Sequence, residues 1–124
     1  MTISKLKHSL RSNDLNNLPA FKSKKLLDQA FIHRSYLNES KEKISSNERL
    51  EFLGDSVISF VVSKYLFDKY PQFNEGTLTN LRSHLVNTKS LAEIASSLKF
   101  GELLILSKGE EESGGRQNET MRAN

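Results

Sequence analysis

Glu48, Glu51 and Asp55 stand three and four residues apart in a segment with helical periodicity. At 100° per residue they fall within an arc of about 60°, so three carboxylates share one helix face. Glu51 and Asp55, at i and i+4, repel each other, and partial burial raises that cost unless a cation compensates. Carboxylate oxygens with no His or Cys nearby in sequence suit a hard cation. Mg²⁺ commonly takes one or two carboxylates together with waters and a substrate phosphate. Two plainer readings stand beside this one. Glu48 with Ser45 forms a capping box, and acids in a first turn favour the helix dipole. Arg49, Lys22, Lys24 or Lys25 would neutralise Glu51 and Asp55 in an ordinary ion-pair network.

The helix that positions these acids is predicted to begin at Asn47, behind the Ser45–Glu48 pattern, and to end before Pro71. Val62 and Leu66 continue the acidic face, while Leu50, Leu53, Val57, Phe60 and Val61 cover much of the remaining circumference. A helix apolar nearly all round is expected to be a buried central helix. Gly54 in its interior costs about 1 kcal/mol relative to Ala, which points to close packing of another backbone, at a helix crossing or a dimer contact. Asn16 to Pro19 separates an amphipathic amino-terminal segment from a second helix over Lys22 to Asn38. Helical runs from Glu75 to Val86 and from Ser90 to Leu98 make a helical hairpin. The Leu103 to Leu106 run is short, Lys108 to Asn118 reads as an exposed loop, and Glu119 to Asn124 reads as the first turn of another helix. The predicted class is all-α, in one domain over residues 1–124.

Composition narrows the function. The 124 residues contain no cysteine, which excludes a disulfide framework, thiolate-held zinc and a cysteine nucleophile, and suits the cytoplasm. The amino terminus has no apolar run resembling a signal peptide. The longest strongly apolar stretch, Val57 to Val62, is far shorter than the roughly 20 residues that cross a bilayer, so no membrane association is expected. Net charge is +3. The positive excess lies in residues 1–50, with ten Lys/Arg against five Asp/Glu, where a phosphate-tracking surface or an ordinary solvated helical face would both fit.

The run Asn47 to Ser56, NERLEFLGDS, is very similar to the signature of the ribonuclease III family. The stretch Ala30 to Glu39, with His33-Arg34-Ser35-Tyr36, resembles another helix of that family. Glu75 to Arg82 with Leu85-Val86-Asn87 resembles its next recurrent helix, and Gly109 to Arg116 its usual loop. The resemblance implies a helical-bundle endonuclease domain that works as a homodimer. It implies cleavage of double-stranded RNA with Mg²⁺, or Mn²⁺ in its place, to 5′-phosphate and 3′-hydroxyl ends in rRNA and mRNA processing. Glu51 and Asp55 match metal ligands and Glu48 the first signature acid, in a supporting role. Phe52 matches an aromatic dimer contact, though a plain core Phe fits the sequence equally, and Gly54 lies beside it. Arg82 and Lys108 are candidates for RNA phosphates or else solvated charge, and His33 is expected to be a hydrogen-bonded structural residue.

The departure is at the end of the match. The register from Gly114-Gly115 places Asn124 where the family carries an Asp ligand, and the family's following Glu and its double-stranded RNA-binding domain are not in the sequence. Asn offers a neutral carbonyl oxygen, still a hard-cation ligand. The expectation is a domain truncated at its C-terminal end. The alternative to the nuclease is a catalytically defective RNA-binding module or inactive fragment.

Overall fold

The computed structural model describes residues 19–124, so the amphipathic amino-terminal segment lies outside the described residues. The first helix, α1 (Lys24–Ala30), is followed by a 3₁₀ turn at Arg34–Asn38 and by the long α2 (Glu48–Lys69). Then come α3 (Glu75–Leu85), α4 (Thr88–Ser97), a single turn α5 (Phe100–Leu103), α6 (Lys108–Glu112), a 3₁₀ turn at Gly115–Gln117, and α7 (Glu119–Ala123). Among the described residues there is no strand, and one parallel bridge joins Ile32 to Ile105. The all-α expectation holds.

Local chemistry sets most of these boundaries. Asn74, Asn87, Ser107 and Asn118 each accept a backbone N–H from the first turn of α3, α4, α6 and α7 respectively. The core forms where α1 meets the segment after α5: Phe31, Leu103, Leu104 and Leu106 are buried, with Leu27, Phe100 and Met121 packed against them. Phe31 meets Phe100 edge-on, at a centroid distance of 5.6 Å.

Four expectations need correction. The helix over Lys22 to Asn38 is broken, because the chain at Phe31 to His33 extends to pair with Ile105. Ile105 N donates to Phe31 O (2.8 Å), and His33 N to Ile105 O (3.0 Å). The Ser45–Glu48 capping box does not form. The helix begins only at Glu48, behind N-cap Asn47, so Glu48 is its first residue rather than the third after a Ser45 cap, and its carboxylate accepts from Ser46 Oγ (2.8 Å). The segment Lys108 to Asn118 is ordered rather than a bare loop. Arg116 folds back onto the carbonyls of Gly101 (2.9 Å) and Glu102 (3.2 Å) and pairs with Glu111, whose carboxyl it holds below the usual range.

The fourth correction concerns α2, which is not buried within the single chain. Leu66 alone among its residues is buried, while Phe52 is 79% exposed and Phe60 and Phe67 are each 70% exposed. Phe52 is therefore no core residue. No other element among those described covers this face, which makes an apolar surface out of what the pattern predicts as core.

Gly115 shows how tightly the α6–α7 corner is built. A Cβ there would stand 2.8 Å from Glu110 O, 3.1 Å from Met121 Sδ and 3.2 Å from Leu106 Cδ1. Gly115→Ala is expected to destabilise the domain by about 1–3 kcal/mol, the usual cost of overpacking. Urea denaturation measures it, and an unchanged midpoint would contradict this packing.

Candidate functional site

The first turns of α2 and the end of α7 come together around a set of connected clefts. Asn47, Glu51, Gly54, Asp55 and Asn124 line one of about 240 Å³. On one side His33, Arg34, Glu48, Glu51 and Asn124 line a second of about 440 Å³. On the other, Asp55, Ser59, Thr88 and Asn124 line a third of about 270 Å³. Asn124 belongs to all three, so the fold places this residue beside the acid face that the spacing predicted.

The ion-pair network does not form. Among the described residues no Lys, Arg or His lies within 4 Å of a Glu51 or Asp55 carboxylate; Lys24 pairs with Asp28, and Arg34 reaches Glu48 Oε1 at 3.9 Å. The electrostatic consequence is seen at Glu51. Burial, then the neighbouring charges of Asp55 and Glu48, push its carboxyl above the usual range, and His33 opposes them only weakly. A negative site with no paired cation among the described residues is suited to an incoming cation.

Among the described residues, no group of three or more His, Cys, Asp or Glu forms a ready-made metal cage. Two carboxylates and an amide oxygen nonetheless fit Mg²⁺, which usually keeps several waters and is held by one or two carboxylates plus substrate phosphate. Glu51, Asp55 and Asn124 are the residues that would hold it, and Glu48 stands at the neighbouring rim.

Other expected residues lie elsewhere. Arg82 is half-buried, donates to Ser63 Oγ (3.0 Å) and lines an apolar groove of about 540 Å³ between α2 and α3, with Phe60, Phe67 and Phe73. Lys108 is exposed at the start of α6, where its backbone N–H donates to Glu39. Neither lines the acid clefts. Gly54 does, and among the described residues a Cβ added there would meet nothing within 4 Å, so none of their backbones approaches it. His33 is hydrogen-bonded as expected, through Nδ1 to Ser35. Sequence reasoning missed that His33 and Arg34 also line the acid cleft; the signal was their place in the His33-Arg34-Ser35-Tyr36 motif.

A family model described as ribonuclease-III-like matches residues 23–124. The chain is similar to ribonuclease 3 of Geobacillus kaustophilus, with 51% identity over 104 residues, covering 83% of this chain and 42% of that protein. It is also similar to ribonuclease 3 of Streptococcus gordonii, with 53% identity over 102 residues, covering 82% and 44%. It thus spans less than half the length of these relatives. Among solved structures, the nuclease domain of ribonuclease III from Campylobacter jejuni matches with a TM-score of 0.78 and 42% identity, over 98% of this chain and 77% of that one. That structure is described as showing flexibility in a region involved in dimer formation.

Proposed function

Because this chain belongs to the ribonuclease III-like family, we propose that it is a single catalytic domain that cuts double-stranded RNA endonucleolytically. The observation that carries the reading is the cleft in which Glu51 and Asp55, free of ion pairs among the described residues, face Asn124. Glu51 and Asp55 would hold Mg²⁺, with Mn²⁺ as a substitute, and the Asn124 amide oxygen would complete the protein's share. When bound, the ion supplies an activated water and a counter-charge for the phosphodiester as it reacts. The chain's own part is to fix the two carboxylates on one face of a rigid helix, and to present Glu48 at the rim where the strand enters. Products would carry 5′ phosphates and 3′ hydroxyls. A-form RNA displays its shape and 2′-hydroxyls rather than a readable major groove, so recognition would be by geometry, in rRNA and mRNA processing in the cytoplasm. Among the described residues no helix is long and apolar enough to cross a membrane.

The exposed face of α2 belongs to the same reading. At 100° per residue Phe52, Phe60 and Phe67 fall within an arc of about 80° that adjoins the acid face, with Phe52 about 40° from Glu48. Such a patch marks an interaction surface, and a second copy of the chain is its proposed partner, with Phe52 near the contact; Gly54 lies about 120° or more round the helix from these rings, in the acid cleft. The dimer formation described for the Campylobacter nuclease domain supports this.

Asn124 favours one second reading. It stands in all three clefts as a neutral amide where the family carries an acid, and a site short of charge would dock structured RNA without cutting it.

The test is incubation with a perfectly paired RNA duplex and the DNA duplex of the same sequence, with Mg²⁺ and with chelator. Internal cuts in the RNA alone, in Mg²⁺ alone, are expected. Cutting that persists in chelator would overturn the metal-assisted reading.

A further inference from the structure

A phosphate brought up to Glu48, Glu51 and Asp55 is repelled unless donors receive it on the same rim. The described residues provide a guanidinium and a ring N–H together at the turn between α1 and the Arg34–Asn38 3₁₀ helix. Ser107 N–H donates to Ser35 Oγ (3.0 Å), Ser35 Oγ lies 2.9 Å from His33 Nδ1, and Ser35 N–H donates to the same Nδ1 (3.3 Å). A backbone N–H can only donate, so Nδ1 is an acceptor, and the Ser35 hydroxyl donates to it as well. The ring proton therefore sits on Nε2. With Nδ1 filled, Nε2–H is the donor left to the ring, and none of the described residues is placed to accept from it. His33 lines the cleft of about 440 Å³ together with Arg34, Glu48 and Glu51. Arg34 is open to the same space: its side chain is 73% exposed, and its 3.9 Å approach to Glu48 is beyond hydrogen-bond reach, so its donors are unspent. The backbone beneath is pinned by the Phe31–Ile105 and His33–Ile105 hydrogen bonds, which fix where the two side chains start.

We propose that His33 and Arg34 seat an RNA backbone phosphate at the rim of the acid cleft, His33 through Nε2–H and Arg34 through its guanidinium. This rests on the duplex-RNA reading above. Guanidinium and N–H donors on one phosphate fix the register of the strand, while the carboxylates lie beyond them in the same clefts. The chain Ser107–Ser35–His33 acts one step back, by holding the imidazole in the tautomer that presents its donor.

The test is fluorescence anisotropy of a labelled, perfectly paired RNA duplex in chelator, over a series of salt concentrations, with folding of each variant checked by circular dichroism. Arg34→Gln is expected to weaken binding and to reduce the slope of log Kd against log salt by about 0.9, the effect of one phosphate contact. His33→Phe is expected to weaken binding by roughly tenfold with the slope unchanged, since a neutral donor releases no counterion. His33→Gln, whose amide keeps a donor near the place of Nε2, is expected to recover most of that loss. Arg34→Gln with wild-type affinity and slope would overturn the proposal. So would His33→Gln binding as weakly as His33→Phe, which would make the histidine a structural group only. If the unmodified chain fails to bind the duplex in any salt, the duplex-RNA reading itself falls and takes this inference with it.

Discussion

Glu51→Gln is expected to lower Mg²⁺-dependent cleavage of duplex RNA by about 10³-fold, since a metal's share of transition-state stabilisation is worth several kcal/mol. The same substitution is expected to make the metal-free chain more stable. Burial, Asp55 and Glu48 raise the folded-state pKa of Glu51 above its ordinary value. Ionising a group whose folded pKa is raised costs stability. That cost is absent below the ordinary carboxylate pKa and fully present once pH has risen through the folded value. The metal-free wild type should therefore lose stability as pH rises through the carboxylate range, and Glu51→Gln should remove that part of the slope. Relief of the i,i+4 repulsion with Asp55 is worth about 0.2–0.5 kcal/mol, or about 1–3 °C in Tm for a domain of this size. Thermal melts at pH 4 and pH 7 in chelator would show it. A variant that is both inactive and less stable at pH 7 would indicate that Glu51 supports the fold and not a cation.

Phe60→Glu is expected to weaken self-association by about 10³-fold. The residue is 70% exposed on α2, so the change costs the isolated fold little. In a two-fold dimer it occurs twice, and burying an aromatic anchor at an interface is commonly worth about 2 kcal/mol per copy. Two such losses, about 4 kcal/mol, multiply Kd by about 10³. Sedimentation velocity would read the shift from dimer to monomer, and circular dichroism would report the retained helix. A wild type that sediments as a monomer, or a variant that still dimerises, would assign this apolar face to another partner.

Periodicity and punctuation carried most of the architecture. The limits of α2 and α3 follow from the acid and apolar spacing and from Pro71, whereas α4 starts at Thr88, two residues before the predicted Ser90, because the Asn87 side chain caps it. The acid face was legible for the same reason, because three residues within two turns of one helix need no tertiary information to be placed together. What failed depended on contacts distant in sequence. The break at Ile32 requires Ile105, and the later start of α2 goes with the same segment, whose Ile32 carbonyl takes the N–H of the N-cap Asn47. The exposure of α2 could not be read from its own apolarity. A face covered by the chain's own core and a face left for a partner give the same pattern. Asn124 was placed at the acid cleft by resemblance alone, across more than sixty residues of chain that no periodicity spans.

Titration of the chain with Mn²⁺, followed by electron paramagnetic resonance of the free ion and with Mg²⁺ as competitor, tests the cation site most directly. One ion per chain is expected for the wild type, weakened about tenfold or more in Glu51→Gln and tightened in Asn124→Asp, which returns a charge to the cleft. Equal binding by the wild type, Glu51→Gln and Asn124→Asp would place the ion elsewhere and contradict the account.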